Sequence, residues 1–451
     1  MLVWLLARGM AFAETPTRPA ELEDSSAGNS PTAMRMERRN SEEQLWNWHV
    51  QNTAIVQYHP RFSAKYSGTK SLPEYNEVKE TVSLDLMAGA RLWQGAEVHV
   101  DGLMWQGFGL GDARGINSFP NGEAFRLGTE APNLTFARVF LRQTIGLGGE
   151  TEVLNDDQLQ LRSTVDVSRV TLTVGKLSAK DIFDGNTYAN DPRTQFMNWG
   201  LMANLAWDYP ADALGYITGM AAELNQPDWA VRYGFFQVPS AANGIGLDTH
   251  YLEAWGMVAE LEHRHALWGH RGAVRLLGYV NRAHMGSYQA ALDNPVRPAD
   301  IVATRAYRHK FGFGLNVEQE VTRYLGAFMR LGWSDGRTES WSFNDADRAA
   351  SAGLSAKGDW WGRPGDTFGV GGVVSSLSHA HHEFFGEGGL GILVGDGKIT
   401  YRMEKVVETY YDWQIWKNLH GALDYQFISD PAFNRDRGPV SVFGARLHWE
   451  F

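Results

Sequence analysis

The chain has 451 residues and a formal net charge of -11, an acidic balance that disfavours nucleic acid as a partner. It contains no cysteine, which excludes disulfides, thiolate metal sites and cysteine nucleophiles. A mean hydropathy of -0.33 excludes a polytopic helical membrane protein. Aromatic residues make up 12% of the chain, and glycine is abundant with 49 residues. These features together favour a large β-structure.

The N-terminus has the pattern of an export signal. Residues 1–13 form an apolar run that ends in Ala11-Phe12-Ala13, the A-x-A pattern of a cleavage site. The positively charged start is missing, which predicts a signal peptide truncated at its beginning. Residues 14–45 are polar and predict a flexible leader. No uncharged apolar run reaches about 18 residues, so we expect no transmembrane helix.

Strict alternation of side chains is the main pattern in the rest of the chain. In the last strand candidate, 440–451, Phe443 and Leu447 fall on one face, whereas Arg446 and His448 fall on the other. A β-sandwich would bury the apolar face. A membrane barrel would instead turn that face to the lipid and line its lumen with the polar face. This segment alone leaves both folds open.

A longer alternating segment favours the barrel. Residues 398–415 alternate well beyond the ~5–6 residues of a typical globular strand. One face of this segment carries Arg402, Glu404, Glu408 and Asp412, and a dry core would not tolerate four charges. A tilted strand that crosses a bilayer beside a wet lumen accommodates both features.

Sixteen segments alternate in this way. We therefore expect an all-β fold, a transmembrane antiparallel β-barrel of about 16 strands that occupies residues 46–451 as one domain. The segments are 47–58, 80–92, 96–106, 133–146, 168–177, 215–225, 229–237, 253–263, 271–282, 309–320, 325–334, 346–357, 367–376, 398–415, 419–428 and 440–451. A seventeenth apolar segment, 200–208, is assigned to the long connection 178–214.

The connections between these segments support the same topology. If the last strand runs towards the periplasm, short turns and long outer loops should alternate along the chain. They do so with one exception, because 147–167 is long although its position calls for a short turn.

Five segments are similar to one known family. They are GKLSAKDIFDGNTYANDPRTQFMNW (175–199), ELNQPDWAVRYGFFQVP (223–239), LNVEQE (315–320), KGDWWGRPGD (357–366) and NRDRGPVSVFGARLHWEF (434–451). They resemble the OprB-type carbohydrate-selective porins of Gram-negative outer membranes, over roughly residues 46–451. The resemblance implies a sixteen-stranded outer-membrane barrel that passes small sugars by facilitated diffusion. It also implies that 178–214 folds into the lumen and narrows the pore.

Polar side chains of this loop and of strand 133–146 are the candidates for contact with solute. Sugar hydroxyls both donate and accept hydrogen bonds, so mixed charges and amides suit them. The candidate pore-lining residues are Arg138, Arg142, Lys176, Asp181, Asp184, Asn186, Tyr188, Asp191, Arg193 and Asn198. The alternative is that this network only holds the loop against the barrel wall.

A divalent cation is the alternative solute, because the similarity extends to a branch whose members are labelled high-affinity manganese porins. Glu97, His99 and Asp101 project from one face of a strand, and carboxylate plus imidazole suits Mn²⁺. Same-face neighbours on a strand are about 7 Å apart, so one ion would strain to reach all three. A second cluster, in a predicted outer loop, consists of His379, His381 and His382.

No catalytic motif stands out, and neither enzymatic activity nor a cofactor is expected. The second alternative is a soluble periplasmic β-protein that acts on carbohydrates. The expected partners are small sugars or Mn²⁺ as transported solute and the lipid of the outer membrane. The sequence is compatible with a monomer or a homo-oligomer.

Overall fold

A computed structural model describes residues 43–124 and 127–451. Within these residues, sixteen antiparallel strands close a barrel and two further strands form a separate hairpin. The signal peptide predicted at 1–13 lies outside the described residues, as does nearly all of the leader predicted at 14–45.

The strands and helices are numbered in chain order. The strands are β1 (Trp46–His59), β2 (Glu77–Trp93), β3 (Ala96–Gly107), β4 (Thr129–Gly146), β5 (Thr151–Leu154), β6 (Ser163–Asp166), β7 (Arg169–Leu177), β8 (Ile217–Asn225), β9 (Trp229–Phe236), β10 (Trp255–Leu267), β11 (His270–Met285), β12 (Ala306–Thr322), β13 (Leu325–Ser334), β14 (Arg348–Lys357), β15 (Thr367–Ser376), β16 (Glu404–Trp416), β17 (Leu419–Ser429) and β18 (Val440–Glu450). The helices are α1 (Trp199–Met202), α2 (Tyr288–Asp293) and α3 (His379–Gly386). No helix of the described residues is long and apolar enough to cross a membrane.

The barrel closes where the first strand meets the last. β1 pairs with β2 on one side and with β18 on the other, where Val56 lies opposite Ala445. β5 and β6 pair only with each other, so β4 is followed in the barrel by β7. Each of the sixteen predicted segments overlaps one barrel strand, and 200–208 lies in the connection between β7 and β8. The predicted fold is therefore confirmed.

The alternation has the direction expected of a membrane barrel. On β18, Phe443 and Leu447 are each 49% exposed, whereas Arg446 and His448 are 3% and 2% exposed. Apolar side chains therefore cover the outside of the barrel, and polar ones point into the lumen.

The predicted strand 398–415 is shorter than expected at its start. β16 begins at Glu404, where the ladder with β15 also begins. β15 ends at Ser376, so the residues before Glu404 have no strand beside them on that side. Tyr401 instead forms an isolated bridge with Asn434 in the next long connection.

The two ends of the barrel differ in their connections. One end, the turn end, carries both barrel termini and short turns such as 94–95 and 417–418. The other end, the loop end, carries the long connections. The exception seen in the sequence, 147–167, lies at the turn end and contains the β5–β6 hairpin.

The connection 178–216, called the inner loop, crosses the lumen because its apolar side chains are buried against the barrel wall. Phe183 packs edge-to-face on Phe236 of β9 with ring centroids 6.3 Å apart. Phe196 packs in the same way on Phe328 of β13 at 5.3 Å. Burying such rings removes apolar area from water, at about 25 cal/mol per Å². Part of the lumen is therefore filled by packed apolar side chains, and water and solute are left with the space that the inner loop does not fill.

Candidate functional site

Asp184 fixes the inner loop to the opposite wall. Its Oδ1 accepts hydrogen bonds from Arg330 Nε at 3.0 Å and from Asn316 Nδ2 at 2.8 Å. Lys180 Nζ lies 3.3 Å from Oδ2. Burial acts to raise the pKa of Asp184, but Arg330 and Lys180 outweigh it and lower this pKa to about 2. The carboxylate is 2% exposed, so the structure places it in an anchor and not on the pore surface as predicted.

Two asparagines of the inner loop also anchor it to the barrel wall. Asn198 is 0% exposed, and its Nδ2 donates to Gln426 Oε1 at 2.9 Å and to the Ser118 carbonyl at 2.8 Å. Asn186 Nδ2 donates to Asn316 Oδ1 at 2.7 Å. Both were predicted to line the pore, but their amides are used by protein partners. For these residues the structure favours the alternative, a network that holds the loop.

Arg138 and Asp181 form a charged pair between the barrel wall and the inner loop. Arg138, on β4, donates to both oxygens of Asp181 at 2.8 Å in a fork-like arrangement. The same guanidinium donates to Asp101 Oδ2 at 2.6 Å, and it lies 5.1 Å over the ring of Tyr216. The Asp181 side chain keeps 23% exposure, so one charged pair both joins loop to wall and faces the lumen.

Asp191 and Arg193 form a second polar pair in the inner loop. Arg193 Nε is 3.0 Å from a carboxylate oxygen of Glu123, and its Nη2 is 3.4 Å from one of Asp85. Asp191 Oδ1 accepts the backbone N–H of Arg193 at 2.9 Å, which closes a tight Asx turn. Asp191 and Arg193 both line a cavity beside the inner loop.

The open space between the inner loop and β4 is a cavity of about 360 Å³. Its lining includes the charged side chains of Arg138, Lys180, Asp181 and Arg193. The rings that line it are Phe119, Trp199, Tyr209, Tyr216 and Phe343. Trp199 stacks on Phe119 with centroids 4.9 Å apart, and Tyr209 stacks on Phe343 at 4.8 Å. We call the charged residues the polar wall of the cavity and the five rings its aromatic wall.

Two further cavities lie nearer the turn end. One, of about 270 Å³, is lined by Asp181, Arg142, Glu223 and Arg232, and it adjoins the first cavity at Asp181. The other, of about 310 Å³, contains Tyr188 and residues of the β12–β13 and β16–β17 turns. Arg142 and Tyr188 thus face open space, although each lies away from the main cavity.

Lys176 has a different position from the one predicted. It pairs in register with Val139 of β4, whose side chain is 41% exposed on the outer surface. Residues directly opposite in a sheet share a face, and Val174, two residues before, is also 52% exposed. Lys176 therefore projects outside the barrel and does not line the lumen.

Two of the predicted metal ligands contact each other, and the third is paired with an arginine. Glu97 lies 3.1 Å from His99 Nε2, but Asp101 turns to Arg138. Within residues 43–124 and 127–451, no group of three His, Cys, Asp or Glu side chains is arranged to hold a metal ion. Because the Asp101 carboxylate is paired with Arg138, the three side chains do not converge on one point.

The three histidines of α3 do not converge on one point either. His381 is 0% exposed and bonds through Nδ1 to Asp347 at 2.8 Å. His379 and His382 stack on each other instead, with ring centroids 5.1 Å apart.

Sequence reasoning missed most of the aromatic wall. Phe119 comes from the β3–β4 connection and Phe343 from the β13–β14 connection, so their proximity depends on how long loops pack. Trp199, Tyr209 and Tyr216 belong to the inner loop, but none of them was among the predicted pore-lining residues. High aromatic content from 196 to 216 was the available signal.

Comparison with known proteins agrees with this architecture. A family model described as "Carbohydrate-selective porin, OprB family" matches residues 69–451. No curated protein matches the chain.

Among solved structures, the high-pH structure of Pseudomonas putida OprB superposes with a TM-score of 0.67 at 16% identity, covering 93% of this chain and 96% of that one. The low-pH structure of the same protein gives a TM-score of 0.50 at 13% identity, covering 93% and 95%. At these identities the likeness shows the shared barrel fold.

Proposed function

The chain belongs to the OprB family of carbohydrate-selective porins, and from this premise we propose how its barrel passes sugars. It is an outer-membrane channel of a Gram-negative bacterium, through which small carbohydrates diffuse passively. We assign the loop end to the cell exterior and the turn end to the periplasm. Sugars enter between the long loops, occupy the cavity of about 360 Å³ and leave past Asp181 towards the turn end.

The two unlike walls of the main cavity carry this proposal. A pyranose has hydroxyl groups around its edge and an apolar face of C–H groups. Arg138, Asp181 and Arg193 offer donors and acceptors for the hydroxyls. The rings of Trp199 and Tyr209, each already stacked on a neighbouring ring, add apolar lining against which the C–H face can pack. A solute that is polar at its edge and apolar on its face fits both walls at once.

The same charges argue against a strongly ion-selective pore. Arg138 is paired with Asp181 and Asp101, and Arg193 with Glu123 and Asp85. Each cation is thus paired with carboxylates, and both signs of charge line the passage. Glu97 and His99 contact each other and Asp101 is paired with Arg138, so the three do not form a joint site, which favours sugar over Mn²⁺. The proposed passage involves no chemical step.

Planar-bilayer conductance of the refolded protein tests this function. We expect open channels in KCl whose current is blocked saturably by glucose, because a bound sugar occupies the route of the ions. Mn²⁺, titrated next at constant ionic strength, should leave the current unchanged. Channels indifferent to glucose but sensitive to low Mn²⁺ would overturn the sugar assignment. Folded protein that forms no channels would overturn the passage itself.

A further inference from the structure

The β5–β6 hairpin is an insertion at the turn end of the barrel. It occupies the connection between β4 and β7, whereas most other turns at that end have two or three residues and the longest of them is 358–366. β5 and β6 pair in register from Thr151 with Asp166 to Leu154 with Ser163. The chain between the last pair, residues 155–162, is called the tip.

The tip is folded into the lumen and is held there by polar contacts with the wall. Asn47 Nδ2, on β1, donates to Asp156 Oδ1 at 2.7 Å and to the carbonyl oxygens of Asp157 and Gln160 at 3.0 and 3.1 Å. Arg142 Nη1, on β4, donates to the Leu159 carbonyl at 2.8 Å. The tip therefore bridges β1 and β4, on the turn-end side of Arg138.

The tip also has contacts that fix its depth. Gln158 Nε2 donates to Gln51 Oε1 at 3.0 Å, and Leu161 is 0% exposed. Asp157 and Gln160 exchange two backbone hydrogen bonds of 3.0 and 3.1 Å, which close the tip into a compact turn. With one buried apolar side chain and several backbone contacts, the tip is a defined part of the lumen surface.

Residues of the tip line both cavities on the proposed sugar route. Gln158 and Leu159 border the cavity of about 360 Å³, together with Arg138 and Asp181. Gln160 borders the cavity of about 270 Å³, which also contains Arg142. The tip thus lies at the junction where a solute passes from one cavity to the next.

We propose that the tip is a second constriction, which sets from the periplasmic side the size of the sugar that can pass. This inference rests on the proposed sugar route. The inner loop narrows the lumen from the loop end, and the tip narrows it from the turn end. Gln158 supplies an amide oxygen that can accept from a sugar hydroxyl, beside the charged pair of Arg138 and Asp181.

Cysteine labelling of the folded channel tests the position of the tip. The chain has no native cysteine, so Gln158→Cys carries one thiol. Treatment with a water-soluble methanethiosulfonate that adds a sugar-sized group should cause a stepwise loss of KCl current. The matched control is Val153→Cys on the same hairpin, where the side chain is 50% exposed and lines neither cavity. Labelling at that position should leave the current unchanged.

Labelling of Gln158→Cys that goes to completion by mass spectrometry without loss of current would overturn the second constriction. This readout uses ions alone, so it stands apart from the sugar assignment. If glucose fails to block the wild-type channel while labelling still closes the Gln158→Cys channel, the sugar function fails and the constriction remains.

A shortened hairpin tests the size limit. Because Leu154 and Ser163 are paired, an Asn-Gly dipeptide in place of residues 155–162 can close β5 onto β6 as a two-residue turn. Swelling of proteoliposomes in mono-, di- and trisaccharides should then extend to larger sugars than with the wild type. An unchanged size limit in a variant that still conducts would overturn the proposal.

Discussion

Two sets of polar side chains in the inner loop come from one short stretch of sequence but have different roles. Asp184 and Asn198 are 2% and 0% exposed and bind the barrel wall. Asp181 and Arg193 bind neighbours as well, yet they remain on the surface of the main cavity. The difference lies in how much of each side chain stays open to the lumen, since both sets consist of polar residues and each contains an aspartate.

The comparison shows which polar groups are available to a solute. A buried group whose donors and acceptors are all paired offers nothing to a passing sugar, however polar it is. Asp184 accepts from Arg330, Asn316 and the backbone N–H of Asn204, so its lone pairs are used. Asp181, at the rim of two cavities, can exchange part of its bonding with Arg138 for a sugar hydroxyl.

The largest expected effect comes from breaking the anchor with Arg330→Ala. This change removes the main counter-charge of buried Asp184 and the donors to the Ala189 and Leu201 carbonyls. Leaving one partner of a buried ion pair alone costs about 3–5 kcal/mol. We expect the folded band to convert to the unfolded band at a lower temperature on a gel. We also expect a larger conductance, because the inner loop detaches from the wall.

The matched control for the anchor is Arg348→Ala, which removes an exposed arginine at the start of the neighbouring strand β14. It should change neither the conversion temperature nor the conductance. If Arg330→Ala behaves like this control, Asp184 is held by its other contacts and the anchor has been misassigned.

A smaller effect, confined to solute passage, is expected for Asp181→Asn. The amide keeps the shape and one acceptor but loses the charge, and Arg138 stays paired with Asp101. One charged hydrogen bond is worth about 1.5 kcal/mol, so glucose block should weaken roughly tenfold. The thermal conversion on a gel should stay close to the wild type, because the pair is partly exposed. Concentration-dependent block in planar bilayers measures the difference.

Asp300→Asn, an exposed carboxylate between β11 and β12, controls for the loss of one charge. Arg138→Ala is a poorer probe, since it would strand Asp101, which is 0% exposed. Unchanged glucose block in Asp181→Asn would remove this carboxylate from the sugar route.

The barrel could be predicted from the sequence because a membrane barrel obeys one local rule. Side chains alternate between lipid and lumen, so residues two apart reveal the face without any knowledge of the partner strand. The start of β16 was predicted at residue 398 instead of Glu404, because alternation alone does not show where pairing with the next strand begins. The residues before Glu404 alternate too, but β15 stops at Ser376 and offers them no ladder.

The roles of the inner-loop side chains could not be predicted, because they depend on contacts far away in sequence. Asp184 is separated by 146 residues from Arg330, and Asn198 by 228 from Gln426. No pattern within 178–214 reveals which carboxylate meets a buried arginine. The aromatic wall depends in the same way on the packing of three connections.

The smallest effect is expected for Lys176→Ala, and it tests the boundary of the lumen. Lys176 shares its face with lipid-exposed Val174, whereas Lys180, four residues later, is inside and its Nζ lies 3.1 Å from Asn190 Oδ1. Removing the outer charge should leave conductance and glucose block unchanged, with stability altered by no more than about 0.5 kcal/mol. Single-channel recording with and without glucose provides the measurement.

Lys180→Ala is the informative counterpart, because it removes a cation from both the anchor and the wall of the main cavity. It should change glucose block, whereas Lys176→Ala should not. If the two variants respond alike, the chain does not pass from the barrel wall into the lumen between these residues. The assignment of Lys176 to the outer surface would then have to be revised, whereas Asp184 and Asn198 stay assigned by their own contacts with the wall.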